Sequence, residues 1–128
     1  MKLSNEEILK FVNGCVSLRK KKLPVKLGYA IKKNLAAVGD AGNAYDAERQ
    51  ELLEKYAAKD KDGKFIVEDG RYSIEDQESF SKDLDELLVI ETEVGIQTVS
   101  MEEIEKCEDP RYDALTVEDL ETLEIMTE

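Results

Sequence analysis

The stretch RKKKLPVKLGYAIKKN, Arg19 to Asn34, closes one apolar-striped segment and opens another, and its proline sets the corner between them. Pro24 disfavours helical geometry at Leu23 and suits the first turn of a helix, where its missing N–H is no loss. One helix is therefore expected to stop near Lys22 and the next to start at Pro24. The first begins at Leu3-Ser4-Asn5-Glu6-Glu7-Ile8, which reads as a capping box between Ser4 and Glu7 with a staple from Leu3 to Ile8. Its apolar stripe is Ile8, Phe11, Val12, Cys15, Val16 and Leu18. In the second, Leu27, Ile31, Leu35, Val38, Tyr45, Leu52 and Tyr56 recur at three, four or seven residues. If unbroken to Ala57 it is about 50 Å long, and the short linker makes the two helices antiparallel neighbours. Gly39 and Gly42 are its weak points, read as a break, a hinge or a close approach.

After Ala58 the texture changes. Asp62-Gly63 and Asp69-Gly70 bracket KFIVE, and RYSIE follows, so a hairpin with Asp69-Gly70 as a two-residue turn is expected. EDQESFSKDLDELL places Phe80, Leu84, Leu87 and Leu88 on one side of a helix. VIETEVGIQTVS alternates, with Ile90, Thr92, Val94, Ile96 and Thr98 on one face, and is expected to pair with the hairpin. Ser100 with Glu103, and Thr116 with Asp119, open two short helices, with KCEDPRYDA a loop between them. The expected class is α+β: a long antiparallel helical hairpin (1–58) packed with a small antiparallel sheet and short C-terminal helices (59–128), in a single domain spanning 1–128.

The chain has 128 residues, 41% of them hydrophobic and 38% charged, a composition that can bury a core. Cys15 and Cys107 are read as free thiols, and MKLSNEEILKFV breaks its apolar residues too often for a signal peptide. No run is long enough to span a membrane. A cytoplasmic location is expected.

Histidine is absent, which removes the commonest general base, nucleophile activator and imidazole metal ligand. No pair of carboxylates stands out as catalytic. Gly63 at the sixth position of a calcium loop would align Asp60 and Asp62, yet Ala58 and Asp69 occupy the two anchoring positions. No catalytic residue, metal or cofactor is expected, and the chain is read as no enzyme.

Charge is segregated. Residues 1–33 carry nine basic and two acidic side chains, a net of +7, while the remainder carries −19 and the whole −12. From Glu75 onward nineteen acids face three bases. Nucleic-acid or membrane binding by the basic stretch is disfavoured by that acidic remainder and by the fan of consecutive bases Arg19–Lys22. The preferred reading puts Arg19–Lys22 in the last turn of the first helix, against its dipole. Lys26, Lys32 and Lys33 then form a solvated face able to meet the acidic C-terminal segment or an acidic partner.

In KKLPVKLGYAIKKNL, ERQELLEKYAAKDKDGK, a short acidic hairpin, FSKDLDELL and a closing LTVEDLETLEIM, taken in order, the chain resembles a family of small phage and prophage proteins of unknown function from Firmicutes. The resemblance implies a phage-encoded intracellular protein and supplies no catalytic residue. At Gly39 to Gly42 the chain departs from the regular long helix it implies. The expected role is a non-enzymatic phage accessory protein that contacts a host or phage protein, or a second copy of itself. The contact residues are Lys26, Tyr29, Lys32 and Lys33. The alternative is an acidic nucleic-acid mimic that inhibits a host nuclease or defence complex through Glu118, Asp119 and Glu121.

Overall fold

A computed structural model describes every residue from Met1 to Glu128. In chain order the elements are β1 (Lys2–Ser4), α1 (Asn5–Leu18), α2 (Val25–Tyr56), β2 (Val67–Glu68), β3 (Arg71–Tyr72), α3 (Gln77–Leu88), β4 (Glu91–Glu93), α4 (Met101–Glu105) and α5 (Val117–Leu123). Single 3-10 turns follow α4 at Lys106–Glu108 and α5 at Glu124–Met126. Five helices beside two two-stranded antiparallel sheets make the expected α+β class.

The start of α1 follows its local grammar. The Ser4 hydroxyl accepts the Glu7 N–H at 3.1 Å, and the Glu7 carboxylate accepts the Ser4 N–H at 3.0 Å. Leu3 and Ile8 are both buried. Along the stripe Ile8, Phe11, Cys15 and Leu18 face the core, whereas Val16 faces solvent at 57% exposure. The helix ends at Leu18, four residues before the expected Lys22. Arg19 caps it by donating to the Cys15 carbonyl, and Lys20 and Lys21 donate into tighter three-residue turns. Lys22 has by then been claimed by the C-terminal loop: its N–H donates to the Asp113 carboxylate at 2.8 Å, and its carbonyl accepts the Asp113 N–H at 3.0 Å. Arg19 to Lys22 are therefore not the last turn of α1 but the cap and the crossing that follow it.

Pro24 caps α2, which runs unbroken for 32 residues, about 48 Å at 1.5 Å per residue. Gly39 and Gly42 neither break it nor admit a neighbour, since a Cβ built on either meets nothing within 4 Å. Leu27, Ala30, Ile31, Asn34, Val38 and Tyr45 make the buried face, and further along it is Leu53 rather than Leu52 that is fully covered. Asn5, at the start of α1, shares a groove with Ala41 and Tyr45, while Leu18 at its end lies beside Leu23 and Ile31. That pairing makes the two helices antiparallel. Because α1 has 14 residues it can flank only the first half of α2, and α3 docks on the second half.

Asp69 (φ 50°) and Gly70 (φ 77°) both adopt left-handed geometry, the two-residue turn expected between β2 and β3. The partner of β4 is a correction. It does not join this hairpin; it pairs antiparallel with β1, Lys2 opposite Glu93 and Ser4 opposite Glu91. Each edge finds the nearer partner. The exit of α2 lies along the hairpin, with the Ala58 N–H donating to Ser73 and the Ala58 carbonyl accepting from Ile66. The segment ahead of α1 offers β4 a free ladder, continued by the Asn5 N–H on the Ile90 carbonyl at 3.0 Å. The alternation also shortens: Val94 and Val99 are buried and Ile96 half-buried, but Ile90 and Thr92 are exposed.

Residues beyond β4 close the core. Asn34, fully buried, treats Gln97 as a strand neighbour would, donating to its carbonyl at 2.9 Å and accepting its N–H at 2.7 Å. Val99 and Met126 are joined by a backbone hydrogen bond of 2.8 Å. At Gly14 the backbone of α1 comes against α5 so closely that a built Cβ would lie 2.0 Å from the Thr122 hydroxyl oxygen. Cys107 sits in the 3-10 turn after α4, buried, and not in an open loop.

Candidate interaction surface at the proline corner

The seven bases of Arg19–Asn34 have separate fates. Lys21 turns inward: its ammonium lies 2.9 Å from the Asp119 carboxylate and donates to the Ala114 carbonyl at 2.7 Å. Asp119 is itself buried, and as the N3 residue of the α5 capping box it accepts the Thr116 N–H at 3.0 Å. Burial alone would raise the Asp119 carboxyl. The Thr116 N–H and the Lys21 ammonium outweigh it and hold the group below its ordinary value. Of the seven bases of Arg19–Asn34, only Lys21 forms an ion pair with the acidic C-terminal segment.

Lys26, Lys32 and Lys33 are exposed and form no ion pair. Helical spacing gathers them with Tyr29 on the first two to three turns of α2. Tyr29 is 56% exposed, Val25 one turn earlier is 85% exposed, and the Lys33 ammonium sits 5.7 Å from the centre of the Tyr29 ring. Tyr29 stands between two clefts. One, about 500 Å³, is walled by Leu23, Pro24 and Ile31 with Arg19 and Lys32 at its edge. The other, about 410 Å³, holds Lys26 opposite Glu103 and Glu128. The corner thus sets an exposed aromatic ring beside three lysines that form no ion pair within the chain.

Of the three acids singled out on α5, Glu118 and Glu121 are exposed and Asp119 is withdrawn into its ion pair with Lys21. Glu118 and Glu121 face Glu7 across a groove of about 540 Å³ that also holds Lys10 and Glu124. Both thiols are buried, which disfavours the thiolate. Burial pushes Cys15 up to about 11 against the pull of Arg19, and burial, opposed by Lys21, raises Cys107. The Asp60 carboxylate spends one oxygen on the N–H groups of Asp62 and Lys64, holding the turn after α2.

Three features escaped the linear reading. Asn34 occupies a core register, three residues after Ile31 and four before Val38, so its polar side chain at a buried position was a usable signal. The α1–α5 contact at Gly14 and the Lys21–Asp119 pair depend on segments about a hundred residues apart and leave no local trace.

No helix is long and apolar enough to cross a membrane. No curated protein and no solved structure matches the chain. Residues 16–110, which run from the second half of α1 through the corner to the turn after α4, match the family described as protein of unknown function (DUF1617). With most of its length covered by that match, the chain belongs to this family of proteins of unknown function.

Proposed function

We propose that the protein is a non-enzymatic accessory protein of a phage or prophage that acts through protein–protein contact at the proline corner. The phage origin rests on the resemblance carried by KKLPVKLGYAIKKNL. The observation that carries the contact is the exposed Tyr29–Val25 ridge flanked by Lys26, Lys32 and Lys33, none of which is neutralised by the chain's own excess of acid. A large exposed ring beside an exposed cationic rim is the composition of an interface hot spot.

A second reading has one observation in its favour: Glu118, Glu121 and Glu7 converge on one groove, an acidic face of the kind that imitates phosphates. It proceeds without Asp119. Affinity purification from infected or lysogenic cells with wild type, Tyr29→Ala and Glu118→Lys/Glu121→Lys decides between them. The corner reading expects a stoichiometric partner, retained in high salt and lost with Tyr29→Ala. The mimic reading expects a DNA-binding enzyme, released by salt and lost on charge reversal. Recovery of no stoichiometric partner, or of one indifferent to both variants, overturns both.

A further inference from the structure

A groove of about 680 Å³ lies at the far end of α2, between its second half, α3 and the start of β4. Its floor is apolar, formed by Tyr45, Leu52, Leu87 and Ile90, and its rim carries Glu48, Glu51, Asp83 and Glu86 with Lys55 as the lone base. Lys55 is 4.0 Å from Asp83, so the other three carboxylates have no cation. The proline corner is its chemical counterpart: two apolar side chains one helical turn apart, framed by three unpaired lysines. We propose that this groove receives the proline corner of a second copy of the chain, joining molecules head to tail. Val25 and Tyr29 seat on the apolar floor, and Lys26, Lys32 and Lys33 face Glu48, Glu51 and Glu86. The proposal rests on the corner being a contact surface, and it names the occupant.

The geometry excludes an intramolecular version. Tyr29 and Leu52 are on one unbroken helix, 23 residues and therefore about 35 Å apart along its axis, so a corner cannot reach its own groove. Each copy instead offers one corner and one groove, a heterologous contact that closes into a ring or extends as a chain. The net charge of −12 opposes association at long range. At physiological ionic strength that repulsion is screened beyond about 8 Å, while opposite charges in contact are not. Exposed ion pairs contribute little singly, so the apolar anchors must carry affinity and the charges orientation.

Sedimentation velocity with light scattering from micromolar to millimolar chain tests this. Wild type should gain mass with concentration. Lys26→Glu/Lys32→Glu/Lys33→Glu and Glu48→Lys/Glu51→Lys/Glu86→Lys should each remain single chains, because each then sets like charge against like. Mixing the two should restore association, since the intact groove of one accepts the intact corner of the other. All six positions are exposed, and circular dichroism checks that the folds match. Tyr29→Ala, which alters no charge, should weaken association by roughly tenfold or more. A wild type that stays a single chain, association that survives either reversal, or a mixture that does not recover overturns the proposal. A single chain that still captures another protein through Tyr29 overturns head-to-tail joining alone; self-association and capture both indifferent to Tyr29 overturn both.

Discussion

From Val25 to Val38, α2 has α1 along one side and the Gln97–Val99 segment on another, and Leu27, Ala30, Asn34 and Val38 have no measurable exposure. From Ala41 to Tyr56 the same helix has α3 beside it, and only Tyr45 and Leu53 are buried. The apolar stripe thins between the halves, from steps of three or four at Leu27, Ile31, Leu35 and Val38 to steps of seven at Val38, Tyr45 and Leu52, with Gly42 and Arg49 in the slots between. The elements available to cover it change as well. An amphipathic pattern therefore states which face a helix would bury, and the chain's other elements determine how much of it is buried. The uncovered remainder is where a groove can exist.

The strongest way to break this contrast is to make one substitution in both halves. Leu27→Ala should cost about 3–5 kcal/mol of unfolding free energy, because the void opens in packed surroundings. Leu52→Ala, half-buried at the groove, should cost about 1–2 kcal/mol. Urea titrations of the two variants measure the difference, and equal losses would mean that the second half is as well covered as the first.

Next in size is the pair that ties the corner to the C-terminal segment. Asp119→Asn should cost about 1.5–3 kcal/mol at neutral pH by leaving Lys21 without its charge partner. The folded Asp119 carboxyl lies below its ordinary value, so its contribution is fully present above the unfolded value of about 3.9 and fades as pH falls through the lower folded one. Melting curves of wild type and variant should therefore begin to approach one another near pH 4 and coincide only once pH is below the folded value. A gap that persists into acid would show that the carboxylate acts by shape and not by charge.

The finest test uses two glycines and expects opposite signs. Gly14→Ala forces a methyl group into Thr122 and should destabilise by about 1–3 kcal/mol. Gly42→Ala meets nothing and should stabilise by about 0.5–1 kcal/mol through helix propensity. Thermal denaturation of both variants checks the signs; a destabilising Gly42→Ala would reveal a neighbour that the helix geometry does not contain.

Local chemistry made much of the fold legible in advance. The Ser4–Glu7 and Thr116–Asp119 boxes, the Asp69-Gly70 turn, the proline corner and the apolar faces of α1 and α2 each depend on residues within a few positions of one another. Their physical basis is a backbone group satisfied by a neighbour or a periodicity of 3.6. So too were the exposed lysines beside Tyr29, because solvated positions on a helix follow from the same spacing.

Where local preference left two partners open, only the tertiary structure chose. β4 could extend the hairpin or join the first residues, and it joined the first residues because the exit of α2 already lines the hairpin. Consecutive lysines could stabilise a helix end or cross to another segment; Asp113 and Asp119 drew Lys22 and Lys21 across and ended α1 at Leu18. Asp119 could be surface charge or buried counter-ion, and the decision lay with a lysine 98 positions earlier in the chain. A sequence window records which hydrogen bonds and contacts a residue can make nearby. It carries no record of which distant group the fold brings alongside, and burial, charge pairing and strand partnership depend on that placement.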